Sequence, residues 1–319
     1  MKSGRLSEAA QERSVQRPFR EVRGAAALPA SVSVCCEIGA DLLPDIRMIL
    51  GDCAGRIFSL GRRPAAVSLQ IVWPAEEPEE KLKKIMEDAA DLCRREGISL
   101  LGAGGCVSLS SAVPAAAVTM AADGPAGESS AAPGDDLVIA GQIGLPGTAV
   151  LASWGREALT GRFPASFVER SAGYAAAAGP EGPVPAAAKE AALSGAGCMC
   201  SGGEGGVFAA LRELALKTGL GFTASLRDIP VRQETIEICE YYDIDPYRLY
   251  SPGILLACVK DGEKLCRQLC GSGIAAVRIG KMTAGRDRIL KNGDEVRWLE
   301  KRQQDSLWSF REKEERKSK

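Results

Sequence analysis

Residues 201–206, Ser-Gly-Gly-Glu-Gly-Gly, are the sharpest chemical feature of this sequence. They follow a short run, Cys198-Met199-Cys200, with strand character, and they precede a helical pattern carried by Val207, Leu211, Leu214 and Ala215. A strand that turns through glycine into a helix presents unpaired backbone N–H groups and the positive end of the helix dipole. Such a junction suits a phosphate, and glycine, without Cβ, lets the ligand approach the backbone. Gly203, Glu204, Gly205 and Gly206 are therefore candidate binding residues; a tight structural connection is the competing reading of the same spacing. Cys198 and Cys200, at the mouth of the turn, read as a reactive pair or as core packing.

Two further glycine segments have related layouts. Residues 133–136, Pro-Gly-Asp-Asp, lead into a short apolar strand, the loop Gly-Gln-Ile-Gly-Leu-Pro-Gly at 141–147, and a helix. A turn that simply needs positive φ explains this segment equally well. Residues 102–106, Gly-Ala-Gly-Gly-Cys, read as a loop after a strand, where Gly104 and Gly105 offer backbone donors and almost no side chain.

Histidine is absent from all 319 residues. That excludes a Ser-His-Asp triad, a His-Cys metal site and an imidazole base, leaving acid–base work to Asp, Glu, Lys, Tyr or Cys. Forty Lys and Arg face 41 Asp and Glu, a net charge of −1 that carries no electrostatic footprint for nucleic acid. No run of about 18 apolar residues predicts a membrane span. The polar opening lacks the apolar stretch of a signal peptide, so a cytoplasmic location is expected. Eleven cysteines without a C-x-x-C spacing read mainly as small, reduced core residues.

The elements that would position these groups alternate. Residues 31–36 read as a strand and 42–59 as a helix. Val67, Leu69, Ile71 and Trp73 alternate with their neighbours in a strand ended by Pro74. Leu82, Ile85, Met86, Ala89 and Cys93 mark one face of a helix stopped at Gly97. Strands at 98–101 and 115–121 complete a first unit. Helix and strand then alternate from 136 to 279, which predicts an α/β layer architecture. The expected divisions are a polar arm at 1–23, an N-terminal domain at 24–122, a linker at 123–132, a C-terminal domain at 133–299 and a charged tail at 300–319. The tail reads as a solvated helix or a frayed end, with a partner-binding role as the alternative.

Several of these segments together resemble one family. They are residues 187–206, Leu226-Arg227-Asp228-Ile229-Pro230-Val231, Asp245-Pro246-Tyr247-Arg248-Leu249, Ser251-Pro252-Gly253-Ile254 and Arg278-Ile279-Gly280-Lys281-Met282-Thr283. They are similar to the C-terminal domain of AIR synthase-type proteins, with the HypE-like hydrogenase maturation branch nearest. Residues 133–135 resemble the entry to that domain, and the strand and helix after Val67 resemble the family's N-terminal half. The resemblance implies a two-domain α/β (α+β) fold: an N-terminal sheet-plus-helix domain and a C-terminal α/β sandwich. It also implies a homodimer sharing a barrel of N-terminal strands, and chemistry in which ATP with Mg²⁺ phosphorylates an amide or carbonyl oxygen. Carboxylates would hold the metal, a hard ion that takes oxygen ligands.

This chain departs from the family at polar positions. The Gly-Gly-His-Thr-Glu segment is matched by residues 102–106 and the Asn-Asp before a strand by Gly55-Arg56. The His-Asp before the retained Glu204-Gly205-Gly206 is matched by Cys200-Ser201, and an acidic segment by residues 24–27. Glu37 falls where the family has an Asp and is the one candidate Mg²⁺ ligand. No Cys follows Cys270, so the HypE acceptor cysteine has no counterpart. Losing one partner of a buried charged contact costs roughly 2–5 kcal/mol, and about 1.4 kcal/mol is a factor of ten. Losing two or three metal carboxylates would thus weaken Mg-ATP by orders of magnitude. Arg56 could meet a phosphate directly. Two readings follow: a HypE-like protein with eroded Mg-ATP motifs, or an active ATP-dependent enzyme.

Overall fold

The computed structural model describes residues 29–38, 44–299 and 304–317. The expected arm at 1–23, residues 24–27 and the first residues of the helix expected from 42 lie outside the described residues.

The first unit is a four-stranded sheet in the order β1-β4-β2-β3. Its strands are β1 (Ser31–Glu37), β2 (Pro64–Pro74), β3 (Ser99–Ser108) and β4 (Ala115–Ala122). Helices α1 (Ile46–Phe58) and α2 (Glu79–Glu96) pack on it. The alternation in β2 does what period 2 requires: Val67, Leu69, Ile71 and Trp73 are all buried against Ile49, Leu50, Cys53 and Ile57 of α1. Helix α2 carries Glu79 and Glu80 in its first turn and Arg94 and Arg95 in its last, and ends at Gly97 with φ 66°.

The second unit is a seven-stranded sheet in the order β11-β10-β7-β9-β5-β8-β6. Its strands are β5 (Asp136–Ala140), β6 (Cys198–Ser201), β7 (Gly221–Ser225), β8 (Leu255–Val259), β9 (Ala276–Thr283), β10 (Arg288–Asn292) and β11 (Glu295–Trp298). Its helices include α3 (Leu145–Trp154), α4 (Arg156–Thr160), α5 (Ala165–Ala172), α6 (Val184–Leu193), α7 (Gly206–Thr218), α8 (Gln233–Tyr242) and α9 (Gly262–Gly271). Alternate residues feed two cores. Leu137, Ile139, Leu256 and Cys258 face α7, while Val138, Ala140, Leu255 and Ala257 face α6 and α9. A sheet buried on both faces explains why β5 and β8 read as unbroken apolar runs.

Two expectations differ from the structure, and one hairpin was not anticipated. Residues 102–106 are not a loop: they continue β3, paired in parallel with β2, because even glycine-rich backbone is held once its N–H and C=O groups have a ladder. The hairpin of β10 and β11 was not expected, although Asn292-Gly293 sits at its turn, with Gly293 at φ 65°. The charged C-terminal stretch contains helix α10 (Ser306–Lys317), and it is seated rather than solvated. Leu307, Trp308 and Phe310 are buried, so the apolar start of the helix outweighs its charged end.

Candidate functional site

Helix α1 lies where the two units meet, and its sequence explains how closely. Gly51 and Gly55 are one turn apart. A Cβ at Gly51 would lie 1.8 Å from the Ala178 carbonyl oxygen, and one at Gly55 would lie 2.8 Å from Ser201 Oγ. Small residues on this face let the helix backbone approach the second unit, and they carry the adjacent Asp52 and Arg56 with it.

Arg56 and Asp52 form a two-point ion pair, Nε to Oδ1 at 2.6 Å and a terminal nitrogen to Oδ2 at 3.3 Å. Their side chains are 15% and 2% exposed. Arg56 is therefore not a surface helix residue. Burial alone would lower its basicity, but the Asp52 charge and hydrogen bonds more than offset this and hold the guanidinium above its ordinary range. The pair backs directly on the glycine turn: a Cβ at Gly203 would fall 2.4 Å from an Arg56 nitrogen and 2.9 Å from Asp52 Oδ1.

The turn connects β6 to α7 as the spacing predicts. Gly205 and Gly206 take positive φ, 85° and 63°, which side-chain-bearing residues rarely adopt. Ser251 gathers both glycine loops. Its N–H donates to the Gly203 carbonyl at 3.0 Å, and its hydroxyl accepts from the Gly144 N–H at 2.8 Å. The segments at 141–147 and 201–206 thus meet at one point, held by Ser251, which opens one of the segments that carry the family resemblance.

Gly104 and Gly105 sit elsewhere in the contact pattern. They lie in β3, in register with Gln70 and Ile71 of β2, and line an apolar pocket with Trp73, Leu82 and Met86. Glu37 ends β1 and pairs with Arg311 of α10; Arg311 also binds Glu315 at 3.0 Å.

Beneath the turn, the charges extend into α7. Glu213 pairs with Lys217 at 3.0 Å, and the Lys217 ammonium lies 3.8 Å from Cys200 Sγ. Burial would raise the Glu213 carboxyl, but Lys217 and Arg56 hold it low. Burial pushes the Cys198 and Cys200 thiols up, which disfavours thiolate and fits the core-packing reading of these cysteines.

The sequence reading missed Asp305. Its side chain is completely buried, and its Oδ2 accepts from the Gly205 N–H at 2.5 Å. Its Oδ1 accepts from the Leu307 N–H at 2.8 Å, so it also caps α10. Burial pushes this carboxyl up to about 8, with the charge of half-buried Glu204 adding to the rise and the Gly205 N–H opposing it. The signal was an Asp just before Leu-Trp-x-Phe, a helix-start pattern.

Among the described residues, no group of three or more His, Cys, Asp or Glu is arranged to hold a metal ion. The turn has the shape for a phosphate, but the Gly205 N–H is taken by Asp305 and the Arg56 guanidinium by Asp52. The fit to a metal-nucleotide complex is therefore incomplete as the side chains stand.

Two packed α/β units, with a glycine turn opening a helix at their junction, define a protein of the AIR synthase architecture. The chain belongs to the AIR synthase related protein family: residues 132–291 match that family's C-terminal domain. It is 34% identical over 150 residues to carbamoyl dehydratase HypE of Rhizobium leguminosarum bv. viciae. That stretch takes in 46% of this chain and only 39% of the relative's length. Among solved structures, the hydrogenase maturation protein HypE of E. coli superposes with a TM-score of 0.70 over 96% of this chain and 92% of that one, at 18% identity. HypE in complex with ATP gives 0.68 over 96% and 97%, at 17% identity. A HypE–HypF complex gives 0.65 over 92% and 98%, at 18% identity. At these identities the structural likeness establishes the fold. No helix among the described residues is long and apolar enough to cross a membrane.

Proposed function

We propose that this chain is a HypE-like protein of hydrogenase maturation that binds ATP at the glycine turn and acts as a non-catalytic binding or scaffolding protein. The observation that carries this reading is the turn at Gly203, Gly205 and Gly206, opening α7 directly beside buried Arg56. A helix N-terminus with a guanidinium alongside suits phosphate. The ATP complex of a similarly folded HypE supports the choice of nucleotide. The metal side is weaker: residues 102–106 carry no carboxylate, and Glu37 is paired with Arg311. Mg²⁺ at Glu37 would have to compete with that pair.

The same reading places the protein in the cytoplasm, with a 24–122 domain, a 123–132 linker and a 133–299 domain as its working divisions. It joins two copies through the N-terminal strands. Support comes from β3, an edge strand among the described residues with Leu100, Leu101 and Val107 60–69% exposed, since an apolar edge invites another strand. A second protein partner is proposed from the HypE–HypF complex.

An active ATP-dependent enzyme is the second reading, favoured by carboxylates that remain near the turn, Asp52 and Glu204. Titration of a fluorescent ATP analogue with and without Mg²⁺, followed by an ATP hydrolysis assay, separates the two. Binding that does not need Mg²⁺, without hydrolysis, is expected. Hydrolysis abolished by Asp52→Asn would establish the enzyme, and no binding at millimolar nucleotide would end both.

A further inference from the structure

We infer that Asp305 is a built-in occupant of the phosphate seat, and that the segment 304–317 is a strap which a nucleotide must partly lift to reach the Gly205 N–H. The inference rests on the nucleotide-binding reading above and adds a regulation to that site.

Four observations carry it. First, Gly205 is the N-cap of a 13-residue helix, with φ 85°, and its N–H points at an oxygen acceptor. Second, that acceptor comes from a residue 100 positions away in sequence, at 2.5 Å, with no exposure to solvent. A carboxyl there offers the same kind of oxygen that a phosphate would. Third, the seat keeps Asp305 from its ordinary charged form: burial opposes its ionisation, and the charge of Glu204 beside it adds to that. A group held at a cost yields to a ligand that suits the site better. Fourth, the strap is anchored independently at several points. Ser306 Oγ donates to the Asp245 carbonyl at 2.9 Å; Leu307, Trp308 and Phe310 are buried; Arg311 reaches Glu37 on β1.

The anchors divide the strap into two functions. The apolar anchors keep α10 attached to the C-terminal unit, where Phe310 packs against Trp154 and Tyr242 with ring centroids 5.4 and 4.9 Å apart. The Arg311–Glu37 pair links the same helix to the N-terminal unit. Asp305 can therefore leave the turn without loss of the whole helix. A strap that spans both units while sitting on the seat couples occupancy of the seat to how the units are held.

The test uses the full chain and trinitrophenyl-ATP as the probe, with inorganic triphosphate as competitor. Asp305→Ala is expected to bind the probe at least tenfold more tightly than the parent. Asp305→Asn, which keeps a carbonyl acceptor for Gly205, is expected to stay within threefold of the parent. Arg311→Glu loosens the strap from its other end, and a smaller gain is expected that the reciprocal pair Glu37→Arg with Arg311→Glu removes. This variant keeps the test open if Asp305→Ala folds poorly. Equal affinity for the parent, Asp305→Ala and Arg311→Glu overturns the strap and leaves the nucleotide site standing. No binding by any of them overturns the nucleotide site and the strap together.

Discussion

The Arg56 guanidinium and the Asp52 carboxylate hold each other at 2.6 and 3.3 Å with the Gly203 backbone against them, so one buried ion pair forms the wall of the glycine turn. Removing one member strands the other in a site closed to water. Arg56→Ala is expected to cost about 3–5 kcal/mol, read from chemical denaturation. The double change with Asp52→Ala should cost clearly less than the sum of the two single changes. An additive double mutant would mean that the pair is not coupled.

Glycine is required at the turn and dispensable at Gly102 of β3. At Gly206, φ is 63° and a Cβ would meet the Tyr247 carbonyl oxygen at 2.4 Å. Gly206→Ala is expected to destabilise by about 1–3 kcal/mol from backbone strain, before the collision is counted. Gly102, with no positive φ and open space where its Cβ would stand, should accept Ala within about 0.5 kcal/mol. Thermal melts of the two variants decide it; equal losses would refute the distinction.

Asp305 makes stability depend on pH in a set direction. Its carboxyl is pushed up from its ordinary value of 3.8 to about 8, so between those values the folded chain holds a proton that the unfolded chain releases. The stability it contributes is full below 3.8, declines as pH rises above that value, and is gone once pH passes about 8. The stability of the parent relative to Asp305→Asn, whose amide stands in for the neutral acid, should therefore fall steadily from pH 4 to pH 8. Subtraction of the two curves removes the titrating groups that do not interact with Asp305. A flat difference would show that Asp305 is not protonated in its seat.

The proposed dimer has a simple test. Leu101→Lys with Val107→Lys puts charge on the β3 edge, at positions 67% and 69% exposed. Light scattering should report two copies for the parent and one for the variant, with no change in melting of the monomer core. A monomeric parent would remove the dimer from the proposal.

Much of the framework was legible from local patterns. Strand β2 and helix α2 announced themselves because one face of each had to be apolar, and Gly97 marked the stop. The turn at Gly205 was legible because a strand, small residues and a helix followed in order. The Asp52–Arg56 pair could have been found from its i,i+4 spacing, but the motif comparison drew attention to Arg56 alone. Asp305 on Gly205 and Arg311 on Glu37 could not: partners separated by 100 and 274 residues leave no local period. The seated helix α10 was misread because its many charges obscured the three apolar residues that fix it.

The strand order has a consequence for synthesis. Strand β5 is the first of its sheet to leave the ribosome, yet its neighbours are β8 and β9, which begin at Leu255 and Ala276. A strand buried along its whole length must therefore wait, unpaired, while more than a hundred residues are made. The nascent chain is most vulnerable to wrong partners in that interval, and a chaperone acting on this protein would have its work there.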